Sequence, residues 1–204
     1  MRAGPARPTG SGALDDAVTD ALRAVPRRDF LPAAVRGRAD EDVALPLGHG
    51  QTGSQPTTVA AMLRLLDVRP GQHVLDVGSG SGWTTALLAH LVGPGGEVLG
   101  LELEPALVAF GRSNLAGRHA AWARVEAADP TRLGRERPGG WDRILASASP
   151  DELPQALVRQ LAPGGRLVVP VRTTMVLVVV DAEGRAHASE HGSYVFVPLR
   201  GPLD

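Results

Sequence analysis

The stretch from residue 73 to residue 92 limits the possible folds more than any other. His73-Val74-Leu75-Asp76-Val77 reads as a buried strand and runs straight into Gly78-Ser79-Gly80-Ser81-Gly82. A helix is read directly after the glycines, over Gly82 to Val92. A strand, a glycine turn and a helix in immediate succession open a β-α-β unit. Such a strand needs parallel neighbours, and these in turn need crossover helices.

The rest of the chain supplies them. Strands are predicted at residues 97–101, 121–126, 143–146 and 166–171, with helices at 105–115 and 152–161. Residues 175–180 and 194–197 read as closing strands. They are joined without a helix, through the turn Asp181-Ala182-Glu183-Gly184, and so form an antiparallel addition at one edge. The expected fold class is α/β: a Rossmann-like, doubly wound, mostly parallel sheet with an antiparallel edge strand. A short N-terminal helical segment precedes it. Leu14, Ala17, Val18, Ala21, Leu22 and Val25 share one helix face, which Pro26 ends, and Phe30, Leu31 and Val35 suggest a second short piece. Residues 37–55 lack periodicity and read as a loop punctuated by Gly48, Gly50 and Gly53. Pro56 opens a helix with Val59, Met62, Leu63 and Leu66 as its buried stripe.

These boundaries predict a disordered tail at 1–12, rich in Pro, Gly and Arg, and one domain over 13–204. Within it, 13–55 form a helical cap and loop, and 56–204 the α/β core.

Composition removes several chemistries. The chain has no Cys, which excludes disulfides, thiolate nucleophiles and Cys-ligated metals. All 21 cationic residues are Arg, so lysine Schiff-base and P-loop chemistry are absent. A net charge of −1 gives no basic field for nucleic acid or anionic membrane. No run reaches the about 18 apolar residues of a membrane span, and no secretory h-region is visible, so a cytoplasmic location is expected. The six His form neither His-x-x-x-His nor His-Glu-x-x-His, and no metal is expected. His49, beside the 37–55 loop, is the one histidine worth testing. Oligomeric state is not legible.

The glycine loop points to a ligand. Its Gly78-x-Gly80-x-Gly82 spacing is neither the G-x-G-x-x-G of dinucleotide enzymes nor a P-loop. Asp76, just before it, repels a pyrophosphate and suits a ligand with a cationic end. S-adenosylmethionine, which carries an amino group and a sulfonium, is such a ligand. Glu102 closes the second strand, where a carboxylate can accept from ribose hydroxyls; a solvated strand end is its plainer reading. Asp129 follows the third strand, where it can accept from an adenine amino group or simply cap a turn. In a doubly wound sheet, Asp76, Gly78, Ser79, Gly80, Gly82, Glu102 and Asp129 converge on one crevice. That makes them the expected cofactor site.

The stretch from Leu45 to Pro56, with its Gln51-Thr52-Gly53-Ser54-Gln55-Pro56 core, resembles a loop of the protein-L-isoaspartate O-methyltransferases. Val25-Pro26-Arg27 followed by Phe30-Leu31-Pro32 is similar to that family's Val-Pro-Arg…Phe-x-Pro segment. The stretch from Pro154 to Leu167, with Pro163-Gly164-Gly165, and the final Val197-Pro198-Leu199 also agree. The resemblance spans roughly 14–201 in order.

The resemblance implies methyl transfer from S-adenosylmethionine to the carboxylate of an isoaspartyl residue in a protein or peptide. The ester then collapses to a succinimide, which repairs isomerised chains. It assigns Thr52 to the cofactor, and Ser54 to a hydrogen bond that orients the acceptor carboxylate. Gln51, Val197, Pro198 and Leu199 would hold the substrate peptide. Ser54 also reads as an N-cap for the helix opening at Pro56, and Val197–Leu199 as ordinary core strand.

Three departures stand out: Gly53 where the family usually has Ile or Val, Ala128-Asp129-Pro130 in place of Gly-Asp-Gly, and Ala146-Ser147-Ala148-Ser149-Pro150 in place of Ala-Ala-Ala-Pro. Asp151 and Glu152, which follow, are expected beside the substrate cleft. Alternatives to repair are methylation of a chosen normal Asp in a ribosomal natural-product peptide to give an aspartimide, methylation of RNA or a small molecule, and a non-catalytic S-adenosylmethionine-binding module.

Overall fold

The computed structural model describes residues 11–118 and 120–201, with the side chains of 11–16 excepted. Most of the expected tail lies outside the described residues, but its last two residues already belong to helix α1, Ser11–Ala24. Two 3-10 turns, Arg27–Phe30 and Arg36–Arg38, follow.

The expected loop at 37–55 contains a hairpin instead. Strands β1 (Leu45–Gly48) and β2 (Gln51–Gly53) pair antiparallel. Between them, His49 and Gly50 both take positive φ, 55° and 72°. A type I′ hairpin turn demands that conformation at both central positions. The glycine signal was therefore a turn signal, and strands this short carry too little periodicity to be seen.

Helix α2 (Pro56–Leu66) leads into the main sheet of seven strands: β3 (His73–Val77), β4 (Glu97–Glu102), β5 (Ala123–Ala127), β6 (Trp141–Ala146), β7 (Leu161–Val171), β8 (Thr174–Val180) and β9 (Ala186–Ser193). Their order is β5-β4-β3-β6-β7-β8-β9. The five from β5 to β7 pair parallel, while β8 and β9 pair antiparallel. The α/β class with an antiparallel edge therefore holds. Helices α3 (Trp83–Val92), α4 (Pro105–Ala116) and α5 (Gln155–Val158) make the crossovers. Two apolar clusters cover the sheet faces, one with Leu63, Leu87 and Val168, the other with Leu75, Ile144 and Leu167. A third, separate cluster of Leu31, Ala39, Leu45, Leu47 and Leu107 lies under the hairpin. Among the described residues no helix is long and apolar enough to cross a membrane.

Two expected elements differ. The helix predicted at 152–161 shrinks to the four residues of α5, because Leu161 pairs with Trp141 in the sheet. Arg143 then pairs with Arg166, so the intervening Pro163-Gly164-Gly165 bulges out of β7. The strand predicted at 194–197 is not one. The last strand is β9, exposed along nearly all its length. Such a strand has no apolar face to advertise. The alternation at 194–197 is real but serves something else: Tyr194 and Phe196 pack on the core while Val195 is 92% exposed.

Candidate functional site

The chain leaves β3 toward β4 and β5, then returns to β6 on the other side of β3. That reversal opens a crevice at the carboxyl ends of the strands. The cleft there encloses about 1230 Å³, its solvent-facing mouth included.

One wall is the glycine loop. The amides of Gly78 and Ser79 both donate to the Leu101 carbonyl, at 2.9 and 3.0 Å, locking the loop to β4. Gly82 has φ 84°, and a Cβ there would lie 3.3 Å from the Gly111 backbone of α4. Only glycine combines that conformation with so close an approach. Ser79 lines the cleft, and its Oγ is buried without a hydrogen-bond partner among the described residues.

Glu102 lines the cleft at the end of β4 and is 8% exposed. Its Oε2 accepts from the Gly80 amide at 2.8 Å, and its Oε1 from the Leu103 and Glu104 amides at 2.8 and 2.9 Å. The plainer reading of a solvated strand end is thereby overturned: three amides hold the carboxylate over the loop. Glu104 is the N-cap of α4, and its carboxylate lies 3.7 Å from the His49 ring in the hairpin turn.

Asp76, expected to meet a cationic ligand group, is set behind the cleft wall rather than on it. It is fully buried and accepts from the hydroxyls of Thr84 and Thr85, both at 2.7 Å to Oδ2. Its Oδ1 is buried without a partner among the described residues. Burial pushes its pKa up to about 6 against the pull of the two hydroxyls, with Glu102 adding to the rise. The acid thus ties the strand that enters the loop to the helix that leaves it.

Asp129 lines the cleft but is exposed, and its Oδ1 accepts from the amide and hydroxyl of Thr131, at 2.8 and 2.7 Å. Those bonds hold its carboxyl below the ordinary range. It caps a turn, as its plainer reading expected, at a place where it also faces the cleft.

The opposite wall comes from the hairpin and the C-terminal segment. Gln51, Thr52 and Ser54 line it. Ser54 is not an N-cap: Gln55 occupies that position without a side-chain bond, and Asp42 takes over by accepting from the Thr57 amide at 2.9 Å. Asp42 sits thirteen or more residues away in sequence and so escaped a local reading. Among the described residues the Ser54 hydroxyl makes no hydrogen bond. Val197, Pro198 and Leu199 also line the cleft. Leu199 packs against the second apolar cluster, and Ser149 holds the segment through its backbone: its amide donates to the Val197 carbonyl at 2.8 Å and its carbonyl accepts from the Leu199 amide at 2.9 Å. Asp151 and Glu152, expected at the cleft, are exposed and outside its lining.

Arg27 was the largest omission. It is 6% exposed, lines the cleft, and donates to four backbone carbonyls: Glu41 at 3.1 Å, Val43 at 2.8 Å, Gly53 at 3.0 Å and Ser54 at 2.9 Å. Burial lowers its pKa, partly opposed by Asp42 and Glu41. Its partners are carbonyls, which sequence does not mark. The one available signal was its place in the Val25-Pro26-Arg27 stretch.

A family model for protein-L-isoaspartate(D-aspartate) O-methyltransferases matches residues 9–203. The chain belongs to this family. Its relatives include the protein-L-isoaspartate O-methyltransferase of Aeropyrum pernix, 42% identical over 90% of this chain and 72% of that one. That of Methanopyrus kandleri is 41% identical over 90% of this chain and 83% of that one. Among solved structures, a Plasmodium falciparum protein-L-isoaspartate O-methyltransferase in complex with S-adenosyl-L-homocysteine superposes with a TM-score of 0.77. It is 28% identical and matches 91% of this chain and 90% of that one. The family is one of methyltransferases, and the cleft described above lies within the matched span.

Proposed function

We propose that this protein transfers a methyl group from S-adenosylmethionine to the free carboxylate of an isoaspartyl residue in a protein or peptide. The observation that carries this reading is the two-walled cleft. The glycine loop and Glu102 form one wall, while Ser54 and the Val197–Leu199 segment form the other. Membership of the family names the chemistry that such a cleft serves.

The residues present suit the cofactor. The glycine loop is closed against β4, Glu102 keeps acceptor capacity toward ribose hydroxyls, and the buried Ser79 hydroxyl lacks a partner among the described residues. S-adenosylmethionine supplies an electrophilic methyl when bound. The acceptor carboxylate, with an ordinary pKa near ~4, arrives ionised, so no general base is required. Ser54 donates a hydrogen bond that turns one carboxylate oxygen toward the methyl. The peptide lies along Val197–Leu199, and the walls exclude water. After release, the flanking backbone nitrogen attacks the ester, methanol leaves, and a succinimide forms.

The test is transfer of labelled methyl to two matched peptides, one with isoaspartate and one with aspartate. Base-labile label on the isoaspartyl peptide alone is the expected result. Label on the aspartyl peptide alone would replace this reading with methylation of a dedicated normal Asp.

A further inference from the structure

The hairpin that carries Gln51 and Thr52, and that ends at Ser54, is closed at its base by a single cation. Arg27 Nη1 donates to the Glu41 carbonyl, and Nη2 to the Val43 carbonyl, both before β1. The same Nη2 donates to the carbonyls of Gly53, the last residue of β2, and of Ser54, the residue after it. The hairpin's apolar cluster is separate from the two that cover the sheet and meets the rest of the fold through Leu107 of α4 and at Gly80, which leaves the hairpin's base to polar contacts. Gly53 contributes no side chain to hold it either. On its other side the guanidinium stacks 5.7 Å from the ring of Trp83. Trp83 is the first residue of α3, directly after the glycine loop, and its indole donates to the Val25 carbonyl at 3.0 Å.

We propose that Arg27 is a positioning residue for methyl transfer, its guanidinium fixing the hairpin against the glycine loop and so setting where Ser54 stands. A guanidinium suits the task because its rigid fork aims several donors at once, and an ammonium of equal charge does not reproduce that geometry. Displacing an aligning group by about an ångström costs on the order of 100-fold in turnover. The turnover arm of the test rests on the function proposed above; the exchange arm does not.

The experiment compares the full chain with Arg27→Ala and Arg27→Lys. S-adenosylhomocysteine affinity and the peptide KM, which Thr52 and Gln51 on the same hairpin would feel, are expected to change by far less than kcat on an isoaspartyl peptide, which falls by about 100-fold. Methylguanidinium, added below denaturing concentration, is expected to restore part of the Arg27→Ala rate, and methylammonium is not. Amide exchange over residues 45–54 should quicken in both variants and stay slow at 73–77. Wild-type kcat in either variant, unchanged exchange over the hairpin, or exchange quickened equally throughout the sheet would each overturn the proposal. If the wild-type protein methylates no isoaspartyl peptide, the proposed function falls, and hairpin exchange alone decides the role of Arg27.

Discussion

Glu102 reaches from the end of β4 to the amide of Gly80, 2.8 Å away and twenty-two residues earlier in the chain. Two further amides, Leu103 and Glu104, complete its shell. A carboxylate can accept all three bonds, whereas an amide side chain must turn a donor toward at least one N–H. Glu102→Gln should therefore destabilise the fold by about 1–3 kcal/mol and weaken S-adenosylmethionine binding. Denaturation and calorimetry read the two effects separately, and a variant unchanged in both would show that the carboxylate is dispensable.

Asp76 makes stability depend on pH. Its pKa rises from 3.8 to about 6 on folding, so between those values the unfolded chain loses a proton that the folded chain keeps. The unfolded state binds fewer protons there, and stability falls as pH rises through the window. The loss is on the order of 3 kcal/mol and is complete above the folded value. Asp76→Asn has no such proton, so its stability profile should stay flatter across that window. Denaturant midpoints for both proteins at several pH values give the slopes, and parallel slopes would sink this account.

Ser54 lines the cleft, and its hydroxyl has no hydrogen-bond partner among the described residues. Ser54→Ala should lower kcat on an isoaspartyl peptide by about tenfold, the worth of one orienting hydrogen bond. Cofactor affinity should not move, because the glycine loop is untouched. Steady-state kinetics beside calorimetry separate these outcomes, and a wild-type rate would remove Ser54 from the mechanism.

Gly53 is a departure that the fold does not require. Its φ is not in the left-handed region, and a Cβ there would meet Leu47 at 3.5 Å and Leu31 at 3.8 Å, ordinary contact distances. Gly53→Ala should therefore stabilise the protein by about 0.4–1 kcal/mol, chiefly by restricting the unfolded chain. A lower melting temperature would show that the hairpin needs the freedom of glycine there.

The sequence by itself determined the α/β class, the glycine loop and the set of strand-end acids. These rest on local signals: a strand-to-helix change of period, alternating glycines, and the rule that strand ends of a parallel sheet share one crevice. It did not determine what those groups do to one another. Asp76 lies behind the wall and not on it, its carboxylate accepting from the hydroxyls of Thr84 and Thr85 on α3. The final strand is β9 and not 194–197 because an exposed edge strand needs no apolar face. Arg27 and Asp42, through their side chains, and Ser149, through its own backbone, organise the hairpin and C-terminal wall of the cleft by hydrogen bonds with backbone atoms of remote residues. Nearly every residue carries the same backbone groups, so only the tertiary structure decides which of them meet which partner.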